Sequence, residues 1–493
     1  MSERKNKKSP KRTAQPVVFP KETSCFTVAI VGGGASGIAA ACAIAAGAQG
    51  LAIPVRVVVI EKGRKIGSSI LRSGNGRCNF SHTNIQPSAF NQPAFVGEAF
   101  AALEEAFASY GGTSAVVHKE LSSPFHAVSA QDSAFALYAP AARSNAVLRW
   151  FYELGLVWQE APHTDGLLYP FSNKATSVLE VLQAELDRYE VERSCGVEVL
   201  LVEKENDRFS LQLQDAFEST RSARFIVDAV VFATGGGGIE SVCSSRCFDE
   251  TAFVPTRSVL GPLRTDTRFL EGLDGIRAHV RLSCSDRSFS EEGEVLFRAY
   301  GISGIVVFNA SRFVEAGDVV ALDLAPELSL SDLNEMLVAR MRSYESRTRD
   351  TATYEELLRG FFLPELVEAL LRYSDFVAGD LDIAPARAVE DQGIAHIAAC
   401  IKDFELVVTG RGDEKQSQVH QGGLRLDEVD PKTMEAVRVP KLYVTGEALD
   451  VDGPCGGYNL HWAWASGLLA GLSIVGELRT SPSDAQRSER EER

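Results

Sequence analysis

The sequence predicts an α/β fold. A parallel-sheet domain, written in two separated stretches of chain, is interrupted by a small β-barrel, and the barrel by a helical insert. Three observations carry this reading. A βαβ unit opens the ordered chain, a run of short strands with turn signals occupies 255–325, and a buried strand, a glycine-punctuated turn and an apolar helix close it at 442–475.

Taken in order, Phe26 to Val31 is short, β-branched and apolar without alternation, as a strand covered on both faces requires. A glycine turn, the alanine-rich helix Ile38 to Ala46 and a second strand, Val55 to Ile60, complete the unit. Residues 98–110 and 145–155 read as helices, separated by a polar surface insertion at 111–135. Another helix spans 177–189, antiparallel strands are expected at 197–202 and 209–213, and a buried strand at 226–233. Strands at 278–283, 294–297 and 304–308 give the texture of a small barrel. Leu333, Met336, Leu337 and Met341 recur at helical spacing within 329–375. The predicted boundaries are a disordered basic tail at 1–24, the α/β domain at 25–254 and 429–478, barrel segments at 255–328 and 386–428, the helical insert at 329–385, and a charged tail at 479–493.

Length and charge bound the rest. The 493 residues suggest roughly three domains. A net charge of −16 argues against a polyanion-binding surface, so no nucleic-acid partner is expected. No run of about 18 apolar residues occurs and no signal-peptide core follows the basic start, so neither a membrane span nor export is expected and the assignment is cytoplasmic. The nine cysteines include no CxxC pair, which fits reduced thiols and no metal site.

Gly32-x-Gly34-x-x-Gly37 follows a buried strand and opens a helix, and the next strand ends at Glu61. In such a Rossmann-like unit the first glycine makes the turn, the second admits a pyrophosphate and the third lets helix and strand pack closely. Ala35 and Ser36 lie in the same turn, and Glu61 is placed to accept from an adenosine ribose, with Lys62 beside it. The fingerprint alone serves FAD and NAD equally. No second Rossmann unit for NAD(P)H is found; Thr234 and Gly235 read as a returning turn beside the cofactor. Gly446-Glu447 ends a strand suited to a ribityl chain, and Gly457-Tyr458-Asn459 opens the final helix, whose N-terminus suits the N1–C2=O edge of a reduced flavin. FAD is therefore the expected cofactor.

Ser73-Gly74-Asn75-Gly76-Arg77-Cys78-Asn79, Tyr169 to Val178, Gly301-Ile302-Ser303-Gly304 and the run Gly446 to Gly467 resemble the bacterial BaiN/YhiN (HI0933-like) flavoproteins over about 26–475. The resemblance implies a discontinuous FAD-binding domain of the GR2 flavoprotein type with an inserted β-barrel and a nested helical domain. It also implies that Arg77, Cys78 and Asn79 lie along FAD, with Val199 at the adenine and Glu447, Gly457 and Asn459 at the flavin end. Family members are described as NAD(P)/FAD-dependent oxidoreductases. This chain departs from them in having Arg298-Ala299 in place of Thr-His, and His461 in place of glutamine.

The expected activity is hydride transfer between a small organic substrate or NAD(P)H and flavin N5, with Arg298, Tyr300 and His461 as substrate-facing candidates. Arg298 would grip a carboxylate bidentately, or stand as a solvated barrel residue; His461 would face the flavin, or pack under Trp462. Asp450 and Asp452 would hold a cation, or cap their loop. The alternatives are an RNA-modifying flavoprotein, for which the basic tail would matter, and a flavin-binding protein without turnover.

Overall fold

A computed structural model describes residues 17–110, 145–161, 166–236, 238–243, 247–378, 383–385 and 387–480. The 111–135 insertion, the first 16 residues of the basic tail and the charged tail beyond 480 lie outside them. The chain divides into two compact units, one of 1–255, 422–451 and 460–493, the other of 256–421 and 452–459.

The first unit is built on a five-stranded sheet, in spatial order Leu442–Val444, Ala229–Phe232, Phe26–Val31, Val55–Glu61 and Glu192–Cys195. Every neighbouring pair runs parallel. Helix Ala35–Gly50 is buried over most of its length, because alanine and glycine let it lie close to its neighbours. Helix Tyr458–Thr480 returns against it: a Cβ at Gly467 would stand 2.3 Å from the Ser36 carbonyl oxygen, and one at Gly471 2.6 Å from the Ala43 methyl. An antiparallel meander of Val197–Glu205, Arg208–Asp215 and Ser222–Val227 flanks the sheet.

The second unit is a closed six-stranded antiparallel barrel, ordered Leu263–Thr265, Gly301–Ser303, Phe289–Arg298, Arg277–Cys284, Val319–Asp323 and Phe404–Arg411. Phe404–Arg411 alternates buried and exposed residues, the period-two pattern of a strand with one wet face. Val280, Leu282, Phe297, Leu322 and Leu406 fill its core together with Leu333, Leu337 and Ile394 from helices. Those helices are Leu330–Thr348, Tyr354–Leu358, Pro364–Ala378 and Asp391–Lys402.

Four local expectations are corrected. The strand expected at 304–308 is the helix Ile305–Ala310; Gly304 at φ +114° turns the chain beside the Glu294 carbonyl, and packing overrides the β-branched run. The strand expected at 226–233 is two strands in two sheets, Ser222–Val227 and Ala229–Phe232. They part at Asp228, whose carboxylate accepts from the Thr27 amide at 2.8 Å and from Arg208 at 3.0 Å. Helical chain continues past 385, because Ile394, Ile397, Ala398 and Ile401 give Asp391–Lys402 a buried face. Residues 17–24, expected to be a loose tail, are tethered: the carbonyls of Val17, Val18 and Lys21 accept from Arg221, Ser194 and Arg56.

Candidate dinucleotide site

The glycine turn is shaped by close approach. Gly32 has φ +110°, and a Cβ there would stand 2.2 Å from the Ala233 carbonyl oxygen; one at Gly37 would stand 2.0 Å from that of Gly32. These two glycines are required by the chain itself. Gly34 is different, since a Cβ there would meet only Ser69 Oγ, at 3.4 Å. Gly34 is the N-cap of helix Ala35–Gly50 and no side chain caps it, so the helix presents its N-terminal N–H groups and positive dipole end at an open position. Glu61 holds the turn in place: its two carboxylate oxygens accept from the amides of Gly33, at 2.8 Å, and Gly63, at 2.6 Å. A carboxylate has about four acceptor sites, so capacity for a ribose hydroxyl remains.

Across the sheet, Gly446 stands at φ +64°, and a Cβ there would lie 2.8 Å from Ser36 Oγ. Its amide donates to Ser466 Oγ at 2.9 Å and its carbonyl accepts from Trp462 Nε1 at 3.1 Å. Sequence reasoning passed over Ser466, whose role depends on a helical face brought back 20 residues later. Thr234 and Gly235 follow Ala229–Phe232, and a Cβ on Gly235 would lie 3.8 Å from Glu447 Oε2. Gly32, Gly34, Ala35, Ser36, Gly37, Glu61, Thr234, Gly235, Gly446 and Glu447 thus gather at the strand ends of one parallel sheet, where open α/β sheets bind ligands.

The other candidates take varied positions. Gly74, Asn75 and Cys78 have φ between 54° and 59°, a tight loop that buries Cys78 and leaves Arg77 exposed over the Tyr169 ring at 4.8 Å. Burial pushes the Cys78 thiol up to about 11, against a smaller lowering by Ser73, so it is not a thiolate at neutral pH. Asn79, with its amide nitrogen towards the carbonyls of Ser81 and Leu168 at 2.6 and 3.2 Å, fastens the next strand. Lys62 is an exposed partner of Glu198 at 2.7 Å, and Val199 is buried in the meander.

Arg298 and Tyr300 belong to the barrel unit. Arg298 Nε lies 3.4 Å from Asp274, and the Tyr300 hydroxyl donates to Gln416 Oε1 at 3.4 Å. In the same unit Asn459 folds back on Gly453, accepting from its amide and donating to its carbonyl, both at 2.8 Å. Gly457 precedes it at φ +92° and Tyr458 begins the final helix. Asp452 is fully buried and accepts from Arg312 Nε at 2.6 Å and Gln421 at 3.0 Å, the role of a structural ion pair. Asp450 accepts from the Gly422 amide at 3.0 Å.

His461 belongs to the parallel-sheet unit. It is buried, with Nδ1 2.8 Å from Ser81 Oγ and the ring edge-on to Phe100 at 5.4 Å. Burial first, and His82 second, lower its pKa to about 3. The imidazole is therefore neutral at ordinary pH, suited to donating or accepting a hydrogen bond and unsuited to acting as a cationic acid.

Comparison with known proteins gives a family. A description reading "HI0933-like protein Rossmann domain" matches residues 111–473, most of the chain, and an "NAD(P)-binding Rossmann-like domain" matches 30–102. The chain belongs to the HI0933-like family. Among its relatives, a 3-dehydro-bile acid delta(4,6)-reductase of Clostridium scindens is 32% identical over 470 residues, 91% of this chain and 98% of that protein. Proteins named ribosomal RNA dihydrouridine synthase are 26% identical, in Escherichia coli over 91% of this chain and 98% of theirs, and in Haemophilus influenzae over 90% and 97%. A solved flavocytochrome c3 fumarate reductase is similar at 12% identity and TM-score 0.39, over 92% of this chain and 78% of that one. Among the described residues, no helix is long and apolar enough to cross a membrane.

The geometry of the HI0933-like chain fits a dinucleotide pyrophosphate at its glycine turn. The helix start left uncapped at Gly34, where a Cβ would meet only Ser69 Oγ, is a cradle of pyrophosphate character.

Proposed function

We propose that the protein is an FAD-dependent oxidoreductase that reduces a carbon–carbon double bond conjugated to a carbonyl in a small organic substrate, with NAD(P)H as electron donor. The uncapped, glycine-framed helix start at Gly34 is the observation that carries the cofactor reading. The substrate reading is supported by the Clostridium scindens relative, named a 3-dehydro-bile acid delta(4,6)-reductase. A bound flavin supplies hydride at N5. The chain supplies the rest. Gly32, Gly34, Ser36 and Gly37 offer backbone to the pyrophosphate, Glu61 accepts from the adenosine ribose while bracing the turn, and Gly446-Glu447 lines the ribityl end.

A second reading, reduction of a uridine in ribosomal RNA, has the name of the 26% identical relatives behind it, and the net charge of −16 against it. Purified protein is expected to be yellow, to bleach with NADH or NADPH under anaerobic conditions, and to regain colour on adding cyclohex-2-enone. Colourless protein that gains no thermal stability from added FAD would falsify the cofactor reading. Reoxidation by a uridine-containing ribosomal RNA fragment, and by no enone, would move the substrate to the second reading.

A further inference from the structure

His461 borders a cavity of about 250 Å³ within the parallel-sheet unit, whose apolar walls are Ile85, Phe100, Leu103 and Val147. That space exceeds the roughly 150 Å³ that admits a benzene ring. Thr83, Asn84 and Gln86 are exposed at its mouth, and Glu104 and Asn145 are engaged in the wall. Glu104 accepts from the Ala146 amide and from Arg149, and the Asn145 side chain caps the helix Ala146–Glu153 through the Leu148 amide at 2.9 Å.

The imidazole lies deeper than these. Its Nδ1 meets the buried Ser81 hydroxyl at 2.8 Å, and Ser81 has no other side-chain hydrogen bond among the described residues. Donation from Ser81 to Nδ1, with the ring proton on Nε2, leaves fewer groups unpaired than the reverse. Nε2 has no hydrogen-bond partner among the described residues, and the residue lines the cavity. A donor at a cavity wall is available to a ligand acceptor. The ring is neutral and Glu104 stands at the wall, so an anion gains nothing here; a neutral acceptor does.

We propose that this cavity recognises the carbonyl of a small neutral ring compound, with the walls of Phe100, Leu103 and Val147 holding the ring and His461 Nε2–H donating to the oxygen. The inference rests on the conjugated-carbonyl reading for calling that compound a substrate; binding is a separate matter and is tested separately.

Cyclohexanone, which has no double bond to reduce, is titrated into the full-length protein as purified and followed by saturation-transfer NMR. Saturable binding is expected, weakened about 10-fold by His461→Phe, the size of one hydrogen bond in a dry site. Methylcyclohexane, which lacks the oxygen, should bind both proteins alike. Val147→Trp fills the cavity, leaves the imidazole untouched, and should abolish cyclohexanone binding; it is the deciding variant if His461→Phe does not fold. Unchanged affinity in the folded His461→Phe protein, or in Val147→Trp, overturns the proposal. Cyclohexanone binding that depends on His461, without reduction of cyclohex-2-enone, leaves the cavity assignment standing and removes the reductase reading.

Discussion

Two regions, one in each unit, treat their helix starts in opposite ways. In the helical insert of the barrel unit, Ser329 caps Leu330–Thr348 through the Asp332 amide, and Thr353 caps Tyr354–Leu358 in a reciprocal box with Glu356. At the glycine turn of the parallel-sheet unit, Ala35–Gly50 begins at Gly34 with no side-chain cap. A cap satisfies orphan N–H groups and fixes the helix entry. Leaving them open keeps an anion site at the expense of stability. The same contrast runs through the charges. The barrel unit buries Arg312 against Asp452 and satisfies both, whereas the parallel-sheet unit buries a histidine in its neutral form.

The glycines break this comparison most sharply. Gly37→Val places a side chain on the Gly32 carbonyl and should prevent folding, read as loss of soluble protein and of the cooperative melt. Gly34→Asp should do the reverse, because its extended backbone (φ −83°, ψ −164°) suits an N-cap. The cofactor-free protein should gain about 0.3 kcal/mol in urea unfolding, while FAD retention falls more than about 100-fold, since a carboxylate occupies the phosphate position.

Asp452→Ala leaves the Arg312 guanidinium buried without its partner and should lose about 3–5 kcal/mol in urea unfolding. Replacing both residues by leucine or methionine should recover most of that loss.

His461 gives a pH test. Its pKa is about 3 in the folded chain against an ordinary 6.5, so below pH 6.5 the unfolded chain takes up a proton that the folded one refuses. Its contribution is complete above pH 6.5 and is lost at about 1.4 kcal/mol per pH unit as pH falls towards 3. Between pH 7 and 4.5 the wild type should therefore lose about 2–3 kcal/mol more than His461→Gln. Equal losses would show that the ring is not held neutral. Smallest of all, Ser329→Ala and Thr353→Ala should each cost about 1 kcal/mol and leave cofactor retention unchanged, measured by urea melts and flavin absorbance.

The legible parts of this molecule were local. Phe26–Val31 announces itself by an apolar run without alternation, the turn by glycines at 32, 34 and 37, and the barrel by short strands with turn signals. What was hidden depended on distant chain. The run Ile305-Val306-Val307 has strand composition, yet the backbone at Gly304 makes it a helix. Asp228 ends one strand and begins another because the Thr27 amide, 201 residues away, needs its carboxylate. His461 was visible as a candidate, but its neutrality comes from burial and from His82, and its Nδ1 partner Ser81 lies 380 residues earlier. Periodicity carries no information about such pairs.

The order of strands in the parallel sheet also bears on how the chain is made. Four of the five strands have left the ribosome once Phe232 emerges, but Leu442–Val444, which pairs with Ala229–Phe232, follows roughly 200 residues later. At about 5–20 residues per second, that is a wait of roughly 10–40 s. For that interval the apolar strand Ala229–Phe232 is an unfinished border, open to any passing strand. Nascent protein, stalled just before residue 442, should accordingly be the species that chaperones protect and that aggregates in their absence.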